Sequence, residues 1–125
     1  MKTKEIPRSE WQEFFDIFSR QHEGWLVTLE ILGADIGAQV EERGLAFEGI
    51  FDEWDEVQGN EILIMFGAKP DDHITHSISN PTTVSLEQTD EGADAALEIK
   101  SADGVTALLR FRSAVLPEMV DAVAG

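Results

Sequence analysis

The chain has 125 residues, the size of one domain, and carries 25 acidic side chains against 9 lysines and arginines, a formal net charge of −16. Such a field repels phosphate backbones and anionic lipid, so neither a nucleic-acid partner nor a membrane-surface role is expected. The absence of cysteine excludes disulfides and thiolate metal sites and fits a reducing compartment. Without a visible apolar leader or a bilayer-length apolar run, the sequence predicts a cytoplasmic protein.

The N-terminal part predicts one amphipathic helix. Residues 1–8 are expected to be a flexible lead-in, and the helix is predicted over residues 9–22. Ser9 and Gln12 have the spacing of a capping box. Gly24 suits the position just after a helix C-terminus. Aromatic residues recur at i, i+3, i+4 and i+7 and form one stripe: Trp11, Phe14, Phe15 and Phe18.

Extended segments follow from Trp25, where the apolar period changes from 3.6 to 2. In the second of them, Gly44 and Gly49 suggest a bulge or a bend. The alternation there predicts one shared face for Leu45, Phe47, Gly49 and Phe51. Residues 52–60 are expected to form an acidic connection. Residues 62–66 are apolar on both faces, which predicts a central strand covered by the helix on one side.

Residues 73–78 are predicted to form a short strand, and the last strands form a predicted meander over residues 82–88, 95–101 and 105–112. The final hairpin allows two registers. A three-residue loop with a left-handed Gly104 places every apolar group on one face, and a two-residue turn does not. The three-residue loop is therefore predicted, with Ile99 opposite Ala107, Leu97 opposite Leu109, and Ala95 opposite Phe111.

Together these elements predict an α+β fold. One N-terminal helix is expected to pack on a strongly bent antiparallel sheet or small β-barrel of about seven strands. The single globular domain is predicted over residues 9–125, and residues 117–123 are predicted to form one helical turn.

Four phrases of the sequence carry a resemblance to a known family. They are FSRQHEGW at residues 18–25, DDHITH at 71–76, EQTDEGADAAL at 87–97 and LRFRS at 109–113. In this order, and over nearly the whole chain, they resemble the bacterial family of uncharacterised proteins filed as domain of unknown function 5335. The resemblance implies a small bacterial single-domain protein. It brings no reaction, cofactor or catalytic residue.

One cluster has the composition of a metal site. Asp72, His73 and His76 carry ligand types that zinc or iron accept. On a strand, however, two histidines three residues apart point to opposite faces and cannot ligate one ion. A structural loop with one core-facing histidine is the favoured interpretation, and no metal or cofactor is expected.

The best catalytic candidates lie at the predicted helix end. His22 beside Glu23 and Arg20 has the residue types of general acid–base chemistry. A histidine there also suits the helix dipole, and this structural interpretation is favoured. Neither a nucleophile elbow nor a glycine-rich phosphate loop is present in the sequence, so no reaction is assigned.

A binding candidate lies in the predicted acidic connection. Trp54 stands among Asp52, Glu53 and Asp55, a combination that fits recognition of a basic or amphipathic partner. The favoured interpretation of Trp54 is nevertheless a buried loop anchor. Elsewhere, Arg110 is expected to form a surface ion pair with Glu98 across the last hairpin.

Two functions remain. The favoured one is a non-enzymatic module that binds a protein partner, or a second copy of the chain, through an exposed strand edge and an aromatic patch. The alternative is a small enzyme or ligand carrier with a pocket between helix and sheet near His22.

Overall fold

The computed structural model describes residues 2–33, 37–57, 59–69 and 72–111. These residues form one helix, one short 3-10 turn and eight strands. In chain order the elements are β1 (Lys2–Ile6), the 3-10 turn (Arg8–Glu10), α1 (Trp11–His22), β2 (Leu26–Gly33), β3 (Gly37–Asp55), β4 (Gly59–Lys69), β5 (Asp72–Ser79), β6 (Pro81–Gln88), β7 (Asp94–Ser101) and β8 (Thr106–Phe111).

The eight described strands form one antiparallel sheet in the order β1-β6-β7-β8-β2-β3-β4-β5. The sheet is open, because β1 and β5 each pair with one neighbour only. Helix α1 packs against β3. The predicted class, one helix on an antiparallel sheet, is confirmed. The predicted count of about seven strands and the small barrel are corrected to an open sheet of eight.

The additional strand, β1, lies where a flexible lead-in was expected. Lys2–Ile6 pairs with β6 along its whole length, and only Ile6 is buried. Backbone hydrogen bonds hold this strand in the sheet, and most of its side chains are polar. Its sequence therefore lacks the alternating apolar residues from which a strand can be predicted. The buried indole N–H of Trp11 donates to the Ile6 carbonyl oxygen at 2.9 Å and ties β1 to α1.

Helix α1 begins two residues later than predicted. The backbone N–H of Glu10 donates to the Pro7 carbonyl oxygen at 2.8 Å and closes a 3-10 turn. Ser9 therefore lies inside this turn, and the N-cap residue Glu10 receives no side-chain capping bond. The capping-box prediction is wrong for that reason. The aromatic stripe is confirmed, with Trp11, Phe15 and Phe18 buried and Phe14 packed at the margin of the core.

The long strand β3 changes partners along its length. It pairs with β2 as far as Ala46 and with β4 from Ala46 onward. The predicted bulge is confirmed, because the register shifts between Phe47 and Gly49. A bulge moves the alternation by one residue, so Ile50 faces the core and Phe51 is 45 % exposed. The predicted shared face therefore does not extend to Phe51.

The predicted acidic connection over residues 52–60 is largely a β-hairpin. Asp52 to Asp55 continue β3, and Gly59 and Asn60 begin β4. Aspartate and glutamate are depleted in strands, which explains why the segment looked like a loop. The next part of β4 is confirmed as a buried strand through Ile62, Ile64 and Phe66.

The β7–β8 hairpin has the predicted register. Ile99 pairs with Ala107 and Leu97 with Leu109, and Gly104 has φ +87°. The ladder ends at the pair Ala96–Arg110, so the predicted Ala95–Phe111 pair is not formed.

The ion pair predicted for Arg110 is wrong. Arg110 Nε donates to Glu30 Oε1 at 3.0 Å, across to β2, the other neighbour of β8. Glu98 lies 3.8 Å from Lys100 on its own strand.

The predicted helical turn at residues 117–123 lies outside the described residues. Within the described ranges, the structure has no helix whose length and apolar content would allow it to cross a membrane.

Candidate functional site

The catalytic candidate His22 lies in the core. Its side chain is 0 % exposed and is surrounded by the rings of Phe18, Trp25 and Phe111. The imidazole stacks on Phe111 with 4.7 Å between centroids and 10° between planes. Nδ1 lies 2.8 Å from the Phe18 carbonyl oxygen. A carbonyl can only accept, so Nδ1 is the donor in this bond.

The other ring nitrogen of His22 meets a carboxylate. Nε2 lies 2.9 Å from Asp94 Oδ2, at ion-pair distance but without the geometry of a regular hydrogen bond. Gln88 Nε2 donates to Asp94 Oδ1 at 2.9 Å. Burial works against ionisation of Asp94, yet the interactions with His22 and Gln88 outweigh it, and the pKa of Asp94 lies below its ordinary value.

The other two catalytic candidates point elsewhere. Arg20 is exposed and forms an i,i+4 ion pair with Asp16 at 2.9 Å. Glu23 is exposed at the helix end. The structure therefore does not gather Arg20, Glu23 and His22 into one site, although they are neighbours in sequence.

The metal candidates lie on β5, which is a strand. His73 and His76 consequently face opposite sides. His73 is exposed, with Nδ1 2.9 Å from Glu48 Oε1, and the half-buried His76 lines a cavity of about 180 Å³ beside the β7–β8 hairpin. The side chain of Asp72 lies outside the description. Among the side chains that are described, no three histidines or carboxylates are arranged to hold a metal ion.

The binding candidate Trp54 is on the surface. It lies near the tip of the β3–β4 hairpin, opposite Asn60, and is 73 % exposed. The interpretation as a buried loop anchor is therefore wrong. Two more large apolar side chains on this hairpin are exposed, Phe51 at 45 % and Val57 at 93 %. We call the surface formed by the following residues the hairpin patch: Phe51, Asp52, Glu53, Trp54, Asp55, Glu56 and Val57.

A groove separates α1 from the adjacent part of β3. It has a volume of about 440 Å³. The sequence did not predict that Gln12, Glu13 and Asp16 line a groove, because their spacing is that of an ordinary solvated helix face. From the strand side it is lined by Ile50, Phe51 and Asp52, so it runs into the hairpin patch.

The carboxyl group of Asp52 lies on the strand side of this groove. Its Oδ1 is buried and makes no hydrogen bond within the described residues. Burial raises the pKa of Asp52, and the positive charge of Arg8 and a hydrogen bond with Asn60 lower it by less. The carboxylate can therefore accept a bond from a donor that enters the groove.

The hydrogen bonds of Ser19 show to which side the backbone N–H and C=O groups of Ile50 in β3 point. The Ile50 N–H donates to Ser19 Oγ at 2.9 Å, and this hydroxyl donates to the Ile50 carbonyl oxygen at 3.2 Å. Alternate residues of a strand send their backbone groups to the same side, so Asp52 and Trp54 share the direction of Ile50. Strand β2 ends its pairing at Ala46, and residues 51–54 have no described strand on this side. We call these residues the open edge of β3.

Comparison with known proteins supports the sequence resemblance. An uncharacterised protein of Aquifex aeolicus (strain VF5) is 32% identical over 120 residues, which cover 94% of this chain and 100% of that protein. No solved structure matches significantly. The model of a family described as a family of unknown function, DUF5335, matches residues 2–119. Since this match covers every described strand and the helix, the chain belongs to the family DUF5335.

Proposed function

We propose that this protein is a non-enzymatic binding module that engages a protein partner through the hairpin patch. One observation carries the proposal. Five large apolar side chains are exposed among the described residues, and three of them, Phe51, Trp54 and Val57, lie on this one hairpin. Phe51 and Trp54, three residues apart on a strand, project from opposite faces, so both faces of the hairpin carry an exposed aromatic ring. Apolar exposure concentrated on one element marks interaction surfaces, whereas single exposed apolar residues are ordinary.

The chemistry of the patch indicates the type of partner. Tryptophan is enriched among the residues that dominate binding energy, and charged residues around it form the rim. The rim here is acidic, through Asp52, Glu53, Asp55 and Glu56. Complementary charge therefore selects a basic or amphipathic partner and speeds its approach. We place the interaction in the cytoplasm, in keeping with a chain that lacks cysteine.

Site-specific photo-crosslinking tests this proposal in cells that natively produce the protein. A photoreactive amino acid replaces Val57 in one variant and the exposed Glu91, which lies outside the patch, in a second. We expect a discrete adduct at position 57 and none at position 91. Trp54→Ser in the first variant should abolish the adduct, and Leu26→Ser, which removes an exposed apolar side chain elsewhere, should leave it intact.

Two outcomes contradict the proposal. One is the same set of adducts at both positions, which would indicate random encounters. The other is the absence of any adduct at position 57 together with a monomer at high concentration by analytical ultracentrifugation. A crosslinked dimer of the chain itself would instead support self-association through the patch.

The groove gives some support to the alternative function, a small enzyme or ligand carrier. Its volume of about 440 Å³ lies within the range of about 300–1,000 Å³ that is usual for ligand sites. His22 does not belong to its described lining, so the chemistry would depend on carboxylates such as Asp52. Thermal shifts with small organic cations would favour a carrier if Asp52→Asn removed them.

A further inference from the structure

We infer that the partner contributes an extended segment bearing lysine or arginine, which adds as a strand to the open edge of β3 within the groove. This inference rests on the proposed function and specifies how the partner is bound. Strand addition derives affinity from backbone hydrogen bonds and specificity from the side chains that alternate along the added strand.

The backbone geometry provides the first support. Ser19 bonds to both backbone groups of Ile50, as a neighbouring strand would. Two residues further along, the N–H and C=O of Asp52 point to the same side, and no described residue bonds to them there. The groove begins at this point and leaves space between α1 and the strand. An added strand would therefore continue the pattern that Ser19 starts.

The composition of the edge provides the second support. Exposed edge strands are commonly protected against pairing by lysine or proline. The outer strand β1 has this protection, through the exposed Lys2 and Lys4. The open edge of β3 has neither residue type and instead exposes Phe51 and Trp54. The charges that it does carry are acidic, so they disfavour pairing with an acidic strand and leave the edge suited to a basic one.

Charge complementarity identifies the occupant as basic. The groove carries the carboxylates of Glu13 and Asp16 on its helix side and of Asp52 on its strand side. A side chain next to Asp52 on an added strand would also lie near Trp54, because the two residues share a face of β3. A lysine or arginine there would meet both a carboxylate and an aromatic ring.

Two cations already lie near the groove, and the charge of Arg8 acts on Asp52 without a hydrogen bond to its Oδ1. Arg8 donates to the Pro81 carbonyl oxygen at 3.2 Å, and its guanidinium lies over the ring of Trp11. Arg20 pairs with Asp16 on the exposed face of the helix. Asp52 Oδ1 keeps no hydrogen-bond donor within the described residues.

A second copy of the chain fits this edge poorly. Pairing of two identical edges about a two-fold axis would place the acidic residues of one copy beside those of the other. Each copy also carries a net charge of −16. The occupant is therefore a segment of a different, basic protein.

A synthetic peptide tests the inference directly. The probe is the capped octapeptide Lys-Val-Lys-Val-Lys-Val-Lys-Val, titrated into the ¹⁵N-labelled protein and followed by NMR and calorimetry. We expect saturable binding, with the largest amide shifts and new protection from hydrogen exchange at Asp52 and Trp54. Methylation of alternate peptide nitrogens should weaken binding by at least about tenfold, because it removes the donors of the added strand.

Matched variants separate the backbone and charge contributions. Asp52→Asn should weaken the peptide by about three- to tenfold, and Glu91→Gln, an equal change of net charge outside the groove, should alter it by less than about twofold. Three outcomes would each overturn strand addition. They are equal affinity for the methylated and unmethylated peptides, amide shifts that are largest outside residues 50–55, and no peptide binding at millimolar concentration. The crosslink at position 57 does not depend on the peptide. If the peptide fails to bind but the crosslink forms, strand addition is wrong and the proposed function stands. If the crosslink does not form, both the proposed function and strand addition are wrong.

Discussion

The Nε2 atom of His22 lies 2.9 Å from Asp94 Oδ2 and joins the last turn of α1 to the first residue of β7. The opposite nitrogen, Nδ1, is committed as a donor to the Phe18 carbonyl. Gln88 Nε2 donates to the other carboxylate oxygen of Asp94 at 2.9 Å. The pair therefore links the end of the helix to the sheet through a carboxylate whose side chain is only 13% exposed.

Acid should weaken this link, and Asp94→Asn tests it. The pKa of Asp94 is lowered in the fold, relative to about 3.9 in an unfolded chain. Its stabilisation is thus complete above about pH 5 and is lost as the pH falls through the folded value. With a side chain only 13% exposed, Asp94→Asn should cost about 1–3 kcal/mol of unfolding free energy at pH 7.

Urea denaturation between pH 7 and pH 2.5 measures this effect. The difference between the wild type and Asp94→Asn should be largest at neutral pH and should close below about pH 3. Glu91→Gln is the control, because its side chain is exposed. A difference that stays constant over this range would show that the ionisation of Asp94 does not stabilise the fold.

Ser19→Ala should loosen α1 from β3. It removes both hydrogen bonds to Ile50 and leaves a buried N–H without its acceptor, at a cost of about 1–3 kcal/mol. The amide of Ile50 should also exchange faster with deuterium. Ser9→Ala, at an exposed position, should change the unfolding free energy by less than about 0.5 kcal/mol. Equal effects of the two substitutions would contradict this assignment.

Asp52→Asn should stabilise the free protein. The pKa of Asp52 is raised by burial, so the ionised form is disfavoured in the fold at neutral pH. The gain should stay below about 1 kcal/mol, because the side chain is partly exposed to solvent. In acid, Asp52 is protonated in both the folded and the unfolded chain, so the gain in unfolding free energy should vanish below about pH 3.5. Chemical denaturation at several pH values can show this. Destabilisation by Asn at pH 7 would argue that Asp52 has a structural role.

Gly104 should tolerate substitution only at a cost in backbone strain. Its φ of +87° is left-handed, and a Cβ built there meets no atom within 4 Å. Gly104→Ala should therefore lower the free energy of unfolding by about 1–2 kcal/mol, and backbone strain should account for the whole loss. Gly104→Asn should lose less, because asparagine enters this region more readily. Thermal denaturation of the two variants ranks them, and equal melting temperatures would contradict the explanation.

The sequence predicted elements wherever side chains alternate between core and solvent. The helix stripe, the buried face of β2 and the register of β7 with β8 all follow from apolar periodicity. Strand β1 has no such periodicity, because Lys2–Ile6 is held by backbone pairing with a strand far along the chain. The exposure of Phe51 depends on the bulge at Glu48, which reverses the alternation beyond it.

The candidate sites were harder to predict, because proximity in sequence does not determine direction. His22, Glu23 and Arg20 are adjacent, yet one is in the core and two are in solvent. Asp94, the carboxylate that meets His22, lies on a strand far along the chain. The only sequence signal for this partner was an isolated aspartate before a buried strand, which is too common to be informative.

The strand order also has a consequence for synthesis on the ribosome. The first strand needs residues 84–88 as its partner, and β2 needs residues 106–111. Translation proceeds from the N-terminus, so β1 and the edge of β2 that pairs with β8 wait unpaired until most of the chain has emerged. Contacts between such distant segments also fold slowly. The nascent chain should therefore be a client of chaperones that bind unpaired strands, and arrest of translation before residue 106 should leave a chain that proteases cut readily.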